Sequence, residues 1–330
     1  MKLKTYLIIG LSLFILLSGC SKGTSDNEII VYTSVDQNIA ETILDDFEKE
    51  TGIQVKAVYD IEASKTTGLT NRLMLEKEKP QADVFWSSEI IMTLMLKDNN
   101  VFQKYISEKS EIIPDSYKDS EGYWTGFGGR ARVMIINTDV FIGDEYPDSI
   151  YDLLDEKYKN YKKAIANPLF GTTLTHLFMM KQLWGEEEAL DFFLKAQNNN
   201  TLIVDGNSVV RDLVASGEAA FGVTDTDDAS QALREDKPVE VLYLDQGGIG
   251  TLVIPNTVGL IKDCKNVNEG KLFIDYLLDE KTESKLIQMG FIDVSLTDAS
   301  DDLVLMECNF EKAYENSDEL LNEIKNTLVR

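Results

Sequence analysis

The chain of 330 residues carries 57 acidic and 32 basic side chains, so its formal net charge at pH 7 is −25. Nucleic-acid phosphates bind to clustered lysine and arginine, and this balance predicts no nucleic-acid partner but a well-solvated surface. With 43% apolar residues and 6 prolines, the composition is typical of packed cores rather than of disorder.

The beginning of the chain has the pattern of an export signal. Lys2 and Lys4 form a short basic head, and an almost unbroken apolar run extends over residues 6–17. A basic head, an apolar stretch of about 12 residues and small residues after it are typical of a secretory signal, whereas a membrane span takes about 20 apolar residues. We therefore predict a signal peptide at 1–19. A membrane anchor followed by an incidental cysteine is the alternative.

The tetrad Leu17-Ser18-Gly19-Cys20 follows the apolar run. It resembles the bacterial lipobox, and this resemblance implies that Cys20 becomes lipid-modified and is the first mature residue. Residues 20–28 are polar and turn-rich and are expected to form a tether. The predicted product is a lipoprotein anchored by its lipid on the extracytoplasmic face of the cell membrane.

Strand-like and helix-like patterns alternate behind the tether. Short apolar or alternating runs predict strands, and apolar residues spaced three or four apart predict helices. The alternation predicts an α/β fold with a mixed, mostly parallel sheet. Predicted strands span residues 29–32, 53–59, 82–86, 132–137, 165–168, 219–224 and 239–244. Predicted helices span 39–51, 64–77, 172–184, 186–197, 208–216, 268–278, 282–289 and 310–328.

Six short segments between residues 29 and 296 carry a family resemblance. They are IVYTS at 30–34, FEKETGIQV at 47–55, ADVFW at 82–86, GGRARV at 128–133, NSV at 207–209 and GEAA at 217–220. Together they resemble the periplasmic ferric-type binding proteins, the branch of ABC-importer receptors that includes iron, aminoethylphosphonate and sugar-phosphate binders. The resemblance implies a type II periplasmic-binding-protein fold, in which two α/β lobes joined by hinge strands close on a ligand.

The length of the exported part agrees with two lobes, because about 300 residues exceed what one hydrophobic core usually serves. The resemblance implies an ABC permease and an ATPase as partners. We expect a monomer that is not an enzyme and needs no cofactor. The implied division is lobe 1 at 29–131 and 252–296, lobe 2 at 132–251, hinge crossings at 131–137 and 250–256, and a C-terminal helical segment at 297–330 that packs on lobe 2.

The start of the helix at residue 172 is the first candidate binding site. The resemblance places an anion at residues 170–173, assisted by Asn207. A helix N-terminus offers free backbone N–H groups and positive dipole potential, which suit phosphate or phosphonate. Gly171 permits close approach of the backbone, and Thr172 and Thr173 add hydroxyl groups. The alternative is an ordinary helix cap.

The second candidate site is the segment TDTDDA at 224–229, directly after an apolar strand. In open α/β folds, ligands bind beyond the carboxyl ends of the strands. Asp225 and Asp228 are predicted to face the ligand, where carboxylates accept hydrogen bonds from an ammonium group or hydroxyls. Alternatively, one aspartate caps the next helix and another is solvated. Hydroxyl contacts from lobe 1 are expected from Ser34, Ser87 and Ser88.

Combined, the two sites predict a small organic phosphate or phosphonate with an amine or hydroxyls, such as 2-aminoethylphosphonate. The alternative is ferric iron or an iron chelate. Ferric members of the family use a His, a Glu and a Tyr-Tyr pair, whereas the matching positions here hold Asp36, Ser88, Asp225 and Thr226. If a metal is bound, the predicted ligands are Asp36, Asp225, Asp227 and Asp228, because a hard cation accepts carboxylate oxygens.

A hydrolase and a structural or adhesive lipoprotein remain as alternatives from other classes. The chain has no phosphate-binding P-loop and no His-Glu-x-x-His helix. Its single histidine, His176, lies among apolar neighbours, which favours a packed helical side chain over a catalytic base. Cys264 and Cys308 are not spaced as metal ligands, and in an exported protein such a pair could form a disulfide.

Four large side chains near the expected hinge have two interpretations each. Trp86 and Trp124 either line the cleft, as aromatic residues often do, or pack in the core beside the hinge strands. Arg130 and Arg132 lie on the predicted crossing strand. One of them either supports the anion site or forms a salt bridge within a lobe.

Overall fold

The structure, a computed structural model, describes residues 27–60, 67–143, 145–169, 171–297 and 303–327. The predicted signal peptide, the predicted lipid site Cys20 and Phe170 lie outside these ranges. None of the helices described is long and apolar enough to cross a membrane.

Strands and helices alternate within the described ranges. The strands are β1 (Glu28–Thr33), β2 (Gln54–Tyr59), β3 (Val84–Ser87), β4 (Phe102–Gln103), β5 (Thr125–Asn137), β6 (Lys163–Ala166), β7 (Thr201–Val204), β8 (Phe221–Asp225), β9 (Val239–Tyr243) and β10 (Val253–Ile261). The helices are α1 (Gln37–Thr51), α2 (Thr67–Glu76), α3 (Ile91–Asp98), α4 (Gly171–Trp184), α5 (Glu186–Asn198), α6 (Asn207–Ala215), α7 (Thr226–Arg234), α8 (Val267–Leu277), α9 (Glu280–Gln288), α10 (Phe310–Tyr314) and α11 (Ser317–Thr327).

The strands form one mixed sheet whose main path runs β2-β1-β3-β10-β5-β8-β6-β7. On one side β1 pairs in parallel with β2 and β3, and on the other β6 pairs in parallel with β7 and β8. The strands β10 and β5 join these two sides through antiparallel pairs. The α/β class predicted from the alternating pattern is confirmed.

The long strand β5 connects the two sides of the sheet. Its first half pairs with β10, and its second half, from Arg132 onward, pairs with β8 and β9. The strand predicted at 132–137 is only this second half, since the glycine-rich start has low strand propensity. Packing explains one of these glycines, because a Cβ atom on Gly129 would lie 2.3 Å from Val253 Cγ1.

Two hydrophobic clusters cover the two sides of the sheet. One surrounds β1, β3, α1 and α8, with the Phe47 and Phe273 ring centroids 5.1 Å apart. The other surrounds β8, α4 and the C-terminal helices, where Tyr314 of α10 lies 6.1 Å from Phe178 of α4. Trp86 and Trp124 are buried in these clusters, so both are core residues. The residue bounds assigned to the two lobes stay predictions.

The C-terminal helix predicted at 310–328 is wrong in one respect, because the structure divides it into α10 and α11. Between them Asn316 has a φ of 57°, a left-handed conformation that asparagine tolerates better than most residues.

Helix α3 was not predicted from the sequence, since its apolar run shows no helical period. Its N-terminus is stabilised by Glu89, whose carboxylate accepts hydrogen bonds from Ile91 N–H and Met92 N–H.

Candidate functional site

Three strand-to-helix junctions meet at one edge of the sheet. The parallel strands β6, β7 and β8 end there, and α4, α6 and α7 begin beyond them at Gly171, Asn207 and Thr226. The first turn of a helix leaves backbone N–H groups without intrahelical partners and carries positive dipole potential. Gly171 starts α4 with a left-handed φ of 64°, which glycine adopts without strain. Ligands are expected at such an edge.

A polar cavity of about 230 Å³ lies at this edge. The α4, α6 and α7 junctions form most of its wall, and residues from the β1 and β3 ends and from β5 complete it. Most of the residues predicted to bind the ligand line this cavity: Ser88, Gly171, Thr172, Thr173, Asn207, Asp225 and Asp228. The two further metal candidates, Asp36 and Asp227, line it as well.

Asp225, at the end of β8, is fully buried. Its Oδ1 accepts a hydrogen bond from Arg132 Nη1 at 2.5 Å, and its Oδ2 accepts from Thr172 Oγ1 at 2.6 Å and Asn207 Nδ2 at 2.9 Å. Burial opposes ionisation of Asp225, but the charges of Arg132 and Arg130 outweigh it and lower the pKa of this carboxyl. The ionised side chain therefore faces Arg132, and it does not cap α7 although Asp225 is the N-cap residue.

The guanidinium of Arg132, also fully buried, ties the predicted anion-site side chains together. Nη1 donates to Asn207 Oδ1 at 3.1 Å and to Thr172 Oγ1 at 3.3 Å, and Nη2 donates to Thr173 Oγ1 at 3.4 Å. Arg132 reaches this position because it pairs directly with Asp225 across the antiparallel strands β5 and β8. Both interpretations of this arginine apply: Arg132 forms an ion pair, and it also holds the predicted anion-site residues in position.

Arg130 connects the two walls of the cavity. Its Nη2 donates to the Ser88 carbonyl, and its Nη1 donates to Asp227 Oδ2 at 3.1 Å and lies 3.7 Å from Asp225 Oδ2. Burial opposes the charge of Arg130, but Asp227 and Asp225 outweigh that effect and raise its pKa. This buried cation therefore stays charged while it bridges the β3 end and the start of α7.

Arg211 and Gln231 also line the cavity and were missed by sequence reasoning. Arg211 Nη1 donates to Asp228 Oδ1 at 3.1 Å and to Gln231 Oε1 at 2.7 Å. The sequence could have predicted both residues as part of the site, because residues three or four apart share a helix face. Arg211 lies four residues after Asn207, and Gln231 lies three after Asp228.

Two of the predicted serines do not line the cavity. Ser34 supports Ser88 instead, since its Oγ accepts from Ser88 N–H at 2.9 Å and lies 3.2 Å from Ser88 Oγ. Ser87 Oγ donates to the Glu89 carbonyl at 2.8 Å. Only Ser88 therefore brings a predicted hydroxyl from this side to the cavity wall.

The metal candidates line one cavity, but three of their four carboxylates are held by cations. Asp225 pairs with Arg132, Asp227 with Arg130 and Asp228 with Arg211, all of them within 3.1 Å. Within the described residues, no three Asp, Glu, His or Cys side chains lie together so that they could hold a metal ion. A guanidinium against each of these three carboxylates opposes cation binding electrostatically.

Two buried titratable groups lie behind the cavity. Glu89 accepts a hydrogen bond from Thr175 Oγ1 of α4 at 3.0 Å, and burial raises its pKa to about 7 against the hydrogen bonds from its neighbours. Burial, and then the charge of Arg132, lower the pKa of His176 to about 3, so this histidine is neutral at neutral pH. Sequence reasoning missed Glu89, since a lone glutamate carries no pattern.

The two cysteines of the described part are free thiols. Cys264 lies in the cluster around β1 and β3, where Gln103 Nε2 is 3.6 Å from its sulfur, and Cys308 packs against the other cluster. Because the two thiols belong to opposite clusters, the structure contains no disulfide between them.

Comparisons with known proteins place this chain in a family. The family described as "Bacterial extracellular solute-binding protein" matches residues 79–304. The chain belongs to this family. Of its relatives, the "Fe(3+)-binding periplasmic protein" of Serratia marcescens is 23% identical over 272 residues, covering 81% of this chain and 78% of the relative.

The names of proteins similar to this solute-binding protein mention different ligands. A "Putative 2-aminoethylphosphonate-binding periplasmic protein" of Salmonella typhi is 24% identical over 253 residues, covering 75% of this chain and 71% of the relative. The periplasmic binding protein AfuA of Actinobacillus pleuropneumoniae, solved with fructose-6-phosphate, superposes with a TM-score of 0.78 at 21% identity, covering 91% of this chain and 98% of AfuA. The predicted type II periplasmic-binding-protein fold is thus confirmed.

Proposed function

We propose that this solute-binding protein is the extracytoplasmic receptor of an ABC importer and that it captures a small organic phosphate or phosphonate in the cavity. The observation that carries the proposal is the meeting of three helix N-termini with Arg130 and Arg211 around one polar cavity, with Arg132 buried behind its wall. Helix N-termini and guanidinium groups are the usual partners of phosphate oxygens. The names of the aminoethylphosphonate and sugar-phosphate relatives support the same class of ligand.

The charges of the cavity suggest how such a solute is oriented. The three arginines are balanced by Asp225, Asp227 and Asp228, so the first-turn N–H groups of α4 and α6 supply the positive potential for the anionic end. An amine or hydroxyls at the other end meet the carboxylates of the α7 start and Asp36. The modest cavity volume suits a solute of this size.

Closure around the solute follows from the position of the cavity. Its wall combines residues from both sides of the sheet, which β5 and β10 connect. A solute that touches both sides only when they approach each other shifts the population toward the closed state. The closed form is then what the permease recognises, and the permease passes the signal to its ATPase.

Ferric iron is the second candidate. It is favoured by the name of the Serratia marcescens relative, which is that of an iron-binding protein. Against it stand the arginine partners of Asp225, Asp227 and Asp228 and the absence of a tyrosine from the described cavity wall. Iron held by a chelating anion remains compatible with the same helix N-termini.

Calorimetry on the mature protein separates these candidates. We expect 1:1 binding of 2-aminoethylphosphonate or of a sugar phosphate, and no binding of ferric citrate. Asn207→Asp should weaken that binding at least about tenfold, because it adds a negative charge at the α6 N-terminus. Asn38→Asp, the same change on the exposed face of α1, is the matched control and should bind as the wild type does. Ferric citrate binding without a response to any phosphorus compound would refute the proposal.

The lipid anchor is proposed from the N-terminal tetrad. Cells that make the Cys20→Ser variant should release the protein from the membrane fraction, whereas the wild type should incorporate labelled palmitate and sediment with membranes. Cys264→Ser, which changes a thiol of the folded part, is the control and should stay membrane-bound. Membrane retention and unprocessed length of both variants would instead indicate an uncleaved anchor.

A further inference from the structure

Side chains at and behind the inner wall of the cavity supply the donors of an anion site. Arg132 Nη1, Thr172 Oγ1 and Asn207 Nδ2 converge on one small volume beside the starts of α4 and α6. A planar guanidinium with neighbouring hydroxyl and amide donors matches a carboxylate or phosphate group. The structure shows what fills this volume: both oxygens of the Asp225 carboxylate, which is fully buried.

A solute anion cannot share these donors with Asp225. To reach them it would have to displace a carboxylate that ends β8 and is held by three hydrogen bonds, and would then leave that buried carboxylate without the guanidinium that donates to it. The backbone N–H groups in the first turns of α4 and α6 are not subject to this exclusion, because these turns line the cavity and their N–H groups have no intrahelical partners.

We propose that Asp225 is a resident anion: its side chain fills the inner anion subsite, holds Arg132 and Asn207 in position, and confines the anionic group of the solute to the part of the cavity outside this subsite, at the first turns of α4 and α6. The resident anion thus determines specificity by limiting how deep, and with how much negative charge, a solute enters. This inference rests on the proposed function only in taking the cavity as the solute site.

Removing the carboxylate should create a site for an external one. The Asp225→Ala variant is expected to melt at a lower temperature than the wild type in chloride, and acetate or formate at equal ionic strength should restore part of the difference in a saturable manner. Calorimetry should give 1:1 acetate binding, roughly tenfold tighter or more than in the wild type. Asp225→Glu, which keeps the carboxylate, should show no acetate response.

Asp83→Ala is the matched control. Asp83 is also buried, but its hydrogen bonds come from Ile30 and Asn266 rather than from a guanidinium, so its loss should destabilise the protein without creating acetate binding. If Asp225→Ala does not accumulate in folded form, its refolding yield in formate against chloride gives the same readout.

Equal acetate responses of the wild type, Asp225→Ala and Asp83→Ala, or none in Asp225→Ala, would overturn the inference. Acetate rescue together with a wild type that ignores every phosphorus compound would keep the resident anion and refute the proposed function. The two failures are therefore distinguishable.

Discussion

Replacing Arg132 by methionine is expected to lower the free energy of unfolding by about 3 kcal/mol, because the buried Asp225 carboxylate loses the guanidinium that donates to it and keeps only Arg130, whose Nη1 lies 3.7 Å away. Removing one partner of a buried pair is far more destabilising than removing both. The double variant Arg132→Met/Asp225→Asn should therefore regain most of the loss. Urea unfolding of the two single variants, the double variant and the wild type measures the coupling directly.

Arg211→Met is the matched control for this experiment. Arg211 lines the cavity and pairs with Asp228, but both side chains are partly exposed, so the same substitution should change the free energy of unfolding by no more than about 1 kcal/mol. Equal losses for the two methionine variants would contradict the role given to the buried Arg132–Asp225 pair.

The second large effect concerns pH. Burial, opposed by hydrogen bonds from Met92, Ile91 and Thr175, raises the pKa of Glu89 from 4.5 to about 7. The folded state therefore holds this proton more tightly than the unfolded state. The resulting stabilisation is fully present below pH 4.5 and is lost as the pH rises to about 7.

His176 acts in the opposite direction. Burial and the charge of Arg132 lower its pKa from 6.5 to about 3. The stabilisation of the folded state by the neutral imidazole is therefore present above pH 6.5 and is lost as the pH falls toward 3. Between pH 4.5 and 6.5 the two contributions of about 1.4 kcal/mol per pH unit should nearly cancel in the wild type.

Single variants separate the two groups. The free energy of unfolding of Glu89→Gln, compared with that of the wild type, should rise by about 1.4 kcal/mol per pH unit across this range, and that of His176→Met should fall by the same amount. Urea unfolding at a series of pH values provides the measurement. If the free energy of unfolding of either variant changed with pH in parallel with that of the wild type, the corresponding pKa shift would be refuted.

Local pattern was sufficient to predict most elements around the cavity. The helices that start at Gly171 and Asn207 were placed within one residue, because their apolar spacing and the loops before them are local signals. Their convergence at one sheet edge follows from the parallel pairing of β6 with β7 and β8.

The partners of the charged side chains could not be predicted from local pattern. Asp225 and Asp228 were expected to face the ligand, yet each meets an arginine. The Arg132–Asp225 pair depends on the antiparallel register of β5 against β8, which joins positions 93 residues apart. The burial of Glu89 depends in the same way on a distant contact, because this residue lies beside Thr175 of α4, 86 positions further along the chain.

A native mass spectrum of the mature protein, purified without added ligand from the cells that export it, tests the central claim most directly. We predict a 1:1 complex whose extra mass is that of a small phosphorus-containing organic anion and which dissociates when Asn207 is replaced by aspartate. A complex that carries a single iron atom and no phosphorus would contradict the account.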